Sequence, residues 1–362
     1  MNEPSKQSLV EGRHQPVVIS GRTIGPGCPP FIIAEMSGNH NADLSRALDL
    51  IEAAKEAGAD AVKLQTYTAD TITIDYDGPG FVIEAGIWQG RRLYELYDQA
   101  HTPWDWHQHL FERASKLGIA IFSTPFDPTA VAFLEDLGAP AYKIASFELV
   151  DIPLIDLVAR TGKPMIMSTG LASPADIAEA VQAVRRAGAP DPILLHCTSG
   201  YPTPPREMNL RTMQHLAEAH DVITGLSDHT LGTAVSVAAV ALGAKVIEKH
   251  FTLRRADGGP DAEFSLEPAE LKRLVEDCRA AWESLGSIDY GRVESEEANK
   301  DLRRSLYVVS DVRRGDRLTS ENIRSIRPGF GLPPKHLPEV LGRIATQDLR
   351  RGTPLDWSMF QN

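Results

Sequence analysis

Two short stretches carry side chains able to hold a metal ion. Residues 225–230 read Gly-Leu-Ser-Asp-His-Thr, and residues 246–251 read Val-Ile-Glu-Lys-His-Phe. Each is a β-prone run that ends in polar, ligand-capable residues. Residues 232–243, between them, form an Ala/Val-rich run of helical length. The order strand, helix, strand fits a parallel barrel, in which the carboxyl ends of neighbouring strands open on one mouth. His229 and His250 are then expected side by side there. Two imidazoles with carboxylates nearby suit a borderline divalent ion such as Mn²⁺ or Zn²⁺. The plainer alternative is a pair of unrelated histidines, one in a loop and one held by a backbone carbonyl.

Other β-prone runs end in the same way. Glu35 closes the first, with Asn39 and His40 just beyond it. Lys63 and Gln65 lie on the second, Ser123 and Thr124 on the third, and Lys143, Ser146 and Glu148 on or after the fourth. Ser168 and Thr169 end the fifth, and Thr198, Ser199 and Tyr201 follow the sixth. Ser227 and Asp228 belong to the seventh, Lys249 and His250 to the eighth, and Asp261 comes after. An inward lysine is costly unless an anion meets it. Lys63 and Lys143, flanked by hydroxyls, suit a phosphate or carboxylate held by charge-assisted hydrogen bonds. A lone lysine would more simply snorkel to the surface; two on strands favour the anion site. Glu35 and Glu148 are acid/base candidates. A salt bridge to one of those lysines explains either carboxylate equally well.

The elements that must position these residues alternate regularly. Strands are expected at 31–36, 61–67, 120–125, 141–146, 164–169, 192–198, 222–226 and 245–251, mostly apolar on both faces, as buried parallel strands are. Helical patterns at 44–58, 104–118, 129–138, 152–162, 174–188, 211–220, 232–243 and 267–286 separate or follow them, and most stop at a glycine. This is α/β organisation with the arithmetic of a (β/α)8 TIM barrel; an open doubly wound sheet is the alternative. Residues 17–25 read as a hairpin plugging the amino-terminal end. The connection 68–103 is unusually long and aromatic, and is expected to form a lid over the mouth.

Composition sets outer bounds. The chain has 362 residues, 42% of them hydrophobic, and a formal net charge of -12. An acidic chain of this kind argues against nucleic acid as a partner. Its three cysteines are scattered, with no CxxC, which fits a reducing cytoplasmic compartment. Residues 1–16 form a polar tail without the apolar core of a signal peptide, and no run is long enough to span a membrane. The barrel domain is expected over 17–286 and a charged linker over 287–301. Residues 302–362 then form a small β-rich domain built on a repeat, in which residues 311–318 (DVRRGDRL) are echoed by 348–355 (DLRRGTPL). From Asp301 onward Lys and Arg outnumber Asp and Glu 11 to 7, against 26 to 42 before it.

Residues 31–41 (FIIAEMSGNHN), with VKLQTY, FSTPF, YKIASFE, STG, CTSGYPT, GLSDHT, EKHF and RPG in order along nearly the whole chain, resemble the sialic acid synthase family. Residues 88–97 (WQGRRLYELY), 101–107 (HTPWDWH) and 254–259 (RRADGG) are most similar to its pseudaminic acid synthase branch, and the carboxyl-terminal repeat resembles the antifreeze-like (SAF) domain. The resemblance implies a transferase that condenses phosphoenolpyruvate with an open-chain N-acetylated amino sugar and water, giving a nine-carbon α-keto acid and phosphate. For this branch the sugar is a 2,4-diacetamido-2,4,6-trideoxy-altrose; legionaminic or N-acetylneuraminic acid synthesis is the alternative within the class, and a non-catalytic sugar-binding protein the alternative outside it. It also implies a Mn²⁺- or Mg²⁺-type ion on His229 and His250, and a homodimer in which each SAF domain caps the partner's barrel. Lys63, Thr124, Lys143, Ser146, Ser199 and Ser227 match the phosphoenolpyruvate contacts. Glu35, Gln65, Tyr201 and Asp261 match residues around the sugar and metal, Glu148 the acid/base group, and Arg327 the arginine that the SAF domain offers to the N-acetyl group. Neuraminate-type members usually carry Asn where Ser199 stands.

Overall fold

The computed structural model describes residues 15–361, so most of the polar tail read at 1–16 lies outside the described residues. The chain divides into two compact units between Ser287 and Ile288. Among the described residues no helix is long and apolar enough to cross a membrane.

The first unit opens with an antiparallel hairpin of β1 (Val17–Ile19) and β2 (Arg22–Ile24). Eight parallel strands follow: β3 (Phe31–Glu35), β4 (Ala61–Thr66), β5 (Ala120–Pro125), β6 (Tyr142–Ile144), β7 (Met165–Ser168), β8 (Ile193–Cys197), β9 (Thr224–Asp228) and β10 (Val246–His250). They bond in sequence order, and β10 returns to β3, so the sheet closes into a barrel. The open doubly wound alternative is excluded. Helices such as Leu44–Glu56, His107–Leu117 and Pro174–Arg186 connect the strands. Gly118, directly after Leu117, has φ 65° and supplies the left-handed stop that its neighbours' side chains would strain.

Strand alternation sorts the barrel interior into two layers. On β3, Phe31 and Ile33 point inward and Glu35 follows; on β4, Ala61 precedes Lys63 and Gln65; on β10, Val246 precedes Glu248 and His250. The apolar members join Phe122, Ile166, Ile193 and Leu195 in one cluster with Ile19 and Ile24 of the hairpin. The amino-terminal half of the barrel is thereby filled and plugged. Intervening residues such as Ile32, Ala34, Val62 and Ile247 pack outward with residues of the helices. Polar side chains are left for the carboxyl-terminal half.

The long connection after β4 has structure of its own. It carries helices Ala69–Ile72 and Leu93–Ala100 and a bridge between Val82 and Arg92. At its root Trp104 Nε1 donates to the Tyr67 carbonyl at 3.2 Å, and the Trp104 ring stacks on Phe133. At its tip Trp88 Nε1 donates to the Pro260 carbonyl at 2.8 Å, and the indole lies 5.5 Å from the ring of Tyr201. The segment thus reaches from the end of β4 to residues beyond β8 and β10.

In the second unit β11 (Ser305–Val308) pairs with β12 (Ile323–Ile326), and β13 (Ile344–Ala345) with β14 (Phe360–Gln361), both antiparallel. Leu306, Val308, Val312, Leu318, Leu349 and Leu355 contribute to one core. The sequence repeat is also a structural one. Arg314 N donates to Asp348 Oδ1 at 2.8 Å and Arg351 N to Asp311 Oδ1 at 2.6 Å, so each repeat's aspartate caps the other's turn. Within the segment read as a linker, residues 294–301 are not irregular: 3-10 turns run over Glu294–Leu302.

Candidate active site

At the centre of the polar layer are two buried lysines and two buried glutamates. Lys63 Nζ lies 2.7 Å from Glu35 Oε2 and 3.7 Å from Glu248 Oε1, and donates to Thr124 Oγ1 at 3.3 Å. Lys143 Nζ lies 3.8 Å from the same Glu248 oxygen and donates to Ser168 Oγ at 2.6 Å. Ser227 Oγ donates to Glu248 Oε1 at 3.4 Å. Burial pulls the Lys143 ammonium below its ordinary range. Burial acts the same way on Lys63, but Glu248 and Glu35 outweigh it and lift its pKa. Burial raises Glu35 to about 7, against the pull of Lys63.

Beside Lys143 the loops after β6, β7 and β8 form a hydroxyl cradle. Ser146 Oγ accepts from Gly170 N at 3.1 Å. A Cβ at Gly170 would overlap both the Ser199 and Ser146 hydroxyls. Only glycine leaves room for both serine hydroxyls against residue 170, beside its backbone N–H, an arrangement suited to phosphate oxygens.

The histidines lie on the same mouth. Their ring centroids are 5.4 Å apart. His229 Nδ1 donates to the Thr198 carbonyl at 3.1 Å, which fixes the ring so that Nε2, once deprotonated, is the atom turned to a metal. Nδ1 of His250 is buried without a hydrogen-bond partner, and lies 3.8 Å from Asp261 Oδ2. Burial, then the neighbouring His229, holds the pKa of His250 well below its ordinary value, keeping the ring in the neutral form that binds metals. Among the described residues no group of three His, Cys, Asp or Glu side chains forms a ready metal cage. Two free imidazole nitrogens with a carboxylate at the rim nonetheless fit a divalent ion with open positions.

The cation and anion halves are joined by hydrogen bonds. Gln65 Nε2 donates to Glu35 Oε1 at 2.8 Å and to Ser37 Oγ at 3.0 Å, and Ser37 Oγ donates to Asp261. Lys63 is thereby connected through Glu35, Gln65 and Ser37 to Asp261, whose Oδ2 stops 3.8 Å short of His250 Nδ1. Glu148 sits in the 3-10 turn Phe147–Val150 with its Oε2 buried and unpartnered, and burial raises it to about 7. Tyr201 lies 4.4 Å from the His229 ring, centroid to centroid, and 5.3 Å from Phe264.

Three residues expected at the mouth face away from it. Lys249 and Asp228 are register partners on β10 and β9, one residue out of phase with the inward set. They form a fully buried ion pair at 2.9 Å, with Ser236 Oγ donating to Asp228 Oδ2 at 2.6 Å. Ser123 likewise lies outside, hydrogen-bonded to Thr66 at 2.6 Å. Asn39 is structural, with its amide on the Phe251 carbonyl at 2.9 Å and Ser265 Oγ at 2.8 Å. Conversely, Glu248, Ser37 and the Gly170 N–H belong to the site without being among the residues expected there. Glu248 was open to detection, since it lies two residues before His250 on one strand and so shares its face. Arg327 follows β12 in the second unit, exposed, without a hydrogen-bond or ion-pair partner among the described residues.

A closed barrel with paired imidazoles and paired ammonium groups at its carboxyl end, and a repeat-built β unit after it, defines a barrel enzyme with an appended module. Residues 50–290 match the NeuB family and residues 303–361 the SAF domain; the chain belongs to the NeuB family. It is 44% identical over 331 residues to pseudaminic acid synthase of Campylobacter jejuni, covering 91% of this chain and 96% of that protein. It is 37% identical to N,N'-diacetyllegionaminic acid synthase of Legionella pneumophila, covering 91% of this chain and 94% of that one. Among solved structures, N-acetylneuraminic acid synthetase of Leptospira borgpetersenii in complex with citrate is similar at TM-score 0.70 and 33% identity, over 80% of this chain and 96% of that one.

Proposed function

We propose that this chain condenses phosphoenolpyruvate with the open-chain aldehyde of 2,4-diacetamido-2,4,6-trideoxy-altrose and water, the pseudaminic acid synthase reaction. The observation that carries the reading is the convergence of Lys63 and Lys143 with His229 and His250 on one polar layer. Lys63, Lys143 and Thr124 hold the enol phosphate and its carboxylate, with Ser146, Ser199 and Ser227 completing the cradle. His229 and His250 would hold a divalent ion of the Mn²⁺ or Mg²⁺ type, which would supply Lewis-acid polarisation of the aldehyde oxygen. Gln65, Glu35, Tyr201 and Asp261 orient the sugar beside it. The C3 carbon of phosphoenolpyruvate then forms a bond to the aldehyde carbon as the C=O π bond breaks and the aldehyde oxygen takes a proton from solvent, and cationic character develops at C2. Water adds at C2 and gives its proton to Glu148. The C2–O bond to phosphate breaks as the C2 hydroxyl passes its proton to the leaving phosphate and becomes the keto group, and the two ammonium groups offset the phosphate's charge.

Arg327 is proposed to meet the sugar's acetamido group across a homodimer, each SAF domain serving the partner's barrel. Cytoplasmic action suits the cysteines, all three of which are free thiols. Phosphate release with phosphoenolpyruvate and a panel of amino sugars, with mass spectrometry of the product, tests the reading. Faster turnover of N-acetylmannosamine than of the trideoxy sugar would sink the sugar assignment. His250→Ala is expected to abolish turnover while circular dichroism stays native-like; retained activity at limiting metal would count against the ligand role.

A further inference from the structure

We propose that Trp88, at the tip of the 68–103 segment, is the residue that selects the sugar, closing the aldehyde site with an apolar face that favours a deoxygenated chain end over a hydroxylated one. The inference rests on the reading above that an open-chain amino sugar binds beside His229 and His250.

The indole is tied in place by two contacts. Its N–H is already committed to the Pro260 carbonyl at 2.8 Å, one residue before Asp261. Its ring leans on Tyr201 with centroids 5.5 Å apart, and Tyr201 in turn lies 4.4 Å from the His229 ring. Phe264 extends the aromatic strip, 5.3 Å from Tyr201 and 4.8 Å from His250. Tryptophan has one donor and no acceptor, so with that donor engaged the ring offers a ligand no hydrogen bond. A sugar hydroxyl pressed under it would lose water and find no partner, whereas a methyl group loses nothing. The same strip accepts the methyl of an acetamido group.

The position separates this role from phosphoenolpyruvate binding. Lys63 and Lys143 are inward residues of β4 and β6, in the barrel interior. Trp88 instead touches Tyr201 and the residue before Asp261, both placed around the sugar. A change at Trp88 should therefore alter the choice between sugars and spare the phosphate half of the site. The tip is anchored by the same segment whose root is fixed through Trp104 on Tyr67 and Phe133, so the roof does not depend on Trp88 alone for its placement.

The test compares the diacetamido trideoxy sugar with its 6-hydroxy counterpart, measuring kcat/KM for each and KM for phosphoenolpyruvate. The native chain is expected to prefer the deoxy sugar by about 10- to 100-fold, the range an apolar pocket gives against an added hydroxyl. Trp88→Gln, which offers both a donor and an acceptor, should bring that ratio to within about threefold, with KM for phosphoenolpyruvate changed by less than about twofold. Trp88→Phe keeps an apolar face and should keep the preference even though it loses the tie to Pro260. Thermal melts of both variants report folding, and Trp88→Phe serves the test if Trp88→Gln does not fold. A native ratio in Trp88→Gln, or loss of the preference in a folded Trp88→Phe, would overturn the role of Trp88. Failure of the native chain to turn over any diacetamido sugar would instead overturn the proposed reaction, and the two failures cannot be confused.

Discussion

Glu248 holds one carboxylate oxygen 3.7 Å from Lys63 and 3.8 Å from Lys143, and both lysines are buried. Breaking a buried ion pair from one side leaves an uncompensated charge and costs about 3–5 kcal/mol. Glu248→Gln is therefore expected to lower the melting temperature of the ligand-free protein. Inorganic phosphate, by restoring negative charge between the lysines, should raise it more in the variant than in the native chain. Equal phosphate increments in calorimetry would show that the lysines do not face the anion. Glu148 offers a second check, through pH. Burial raises its pKa from 4.5 to about 7. A base must be deprotonated, so kcat should rise with pH through about 7. Glu148→Gln should lose about 10²–10⁴ in rate and also that limb. An unchanged limb would assign the proton to Glu35, which burial also lifts to about 7. For stability the raised pKa means that Glu148's favourable contribution is full below about 4.5 and is lost as pH rises through about 7. The Gln variant should accordingly gain stability relative to the native chain between about pH 4 and pH 8, read from denaturant midpoints.

At the scale of elements, β9 and β10 show how one strand pair serves both faces of a sheet. Inward residues Ser227, Glu248 and His250 reach the site; Asp228 and Lys249, one position out of phase, lock the strands to each other and to the helix Ala234–Ala241 through Ser236. Lys249→Met would leave Asp228 buried and unpaired, at a cost of about 3–5 kcal/mol in chemical denaturation. Pairing it with Asp228→Asn should recover most of that loss, because the charge left without a partner is removed; additive losses would contradict a direct pairing. The period-2 rule was available from the sequence and separates Lys249 from His250. Position at a strand end alone does not place a side chain at the mouth, because adjacent residues on a strand face opposite ways. Ser123 and Thr124 repeat the point on β5.

At the scale of the whole chain, the second unit is small. Its core of Leu306, Val308, Ile323, Val340, Leu349 and their neighbours is built on a repeat whose halves cap each other. A unit of this size buries only about 60% of the surface its unfolded chain exposes. A fragment of residues 288–362 is expected to unfold cooperatively with a stability of only about 2–4 kcal/mol in urea, below that of a full-sized domain. Asp311→Ala and Asp348→Ala should each weaken it by about 1 kcal/mol, as loss of a capping acceptor does. Unequal effects would show that the pseudo-symmetry is not energetic.

Period, punctuation and composition in the sequence determined eight alternating strands and helices, a hairpin before them and the polar character of the strand ends, but left closure of the sheet and the face taken by each polar residue open. Glycine stops, hydrophobic alternation and charged strand ends are local signals, written in neighbouring residues. The pairing of Lys63 with Glu35, the sharing of Glu248 by two lysines, and the chain of hydrogen bonds from Gln65 to Asp261 were decided only in three dimensions. Each joins strands or loops far apart in the chain. The resting place of Trp88, on Tyr201 and Pro260, was likewise beyond the sequence, because a long connection takes its path from the surfaces it lands on. Closure of the barrel is the physical reason: it brings the ends of strands distant in sequence within hydrogen-bond reach of one another, and only then do their charges acquire partners.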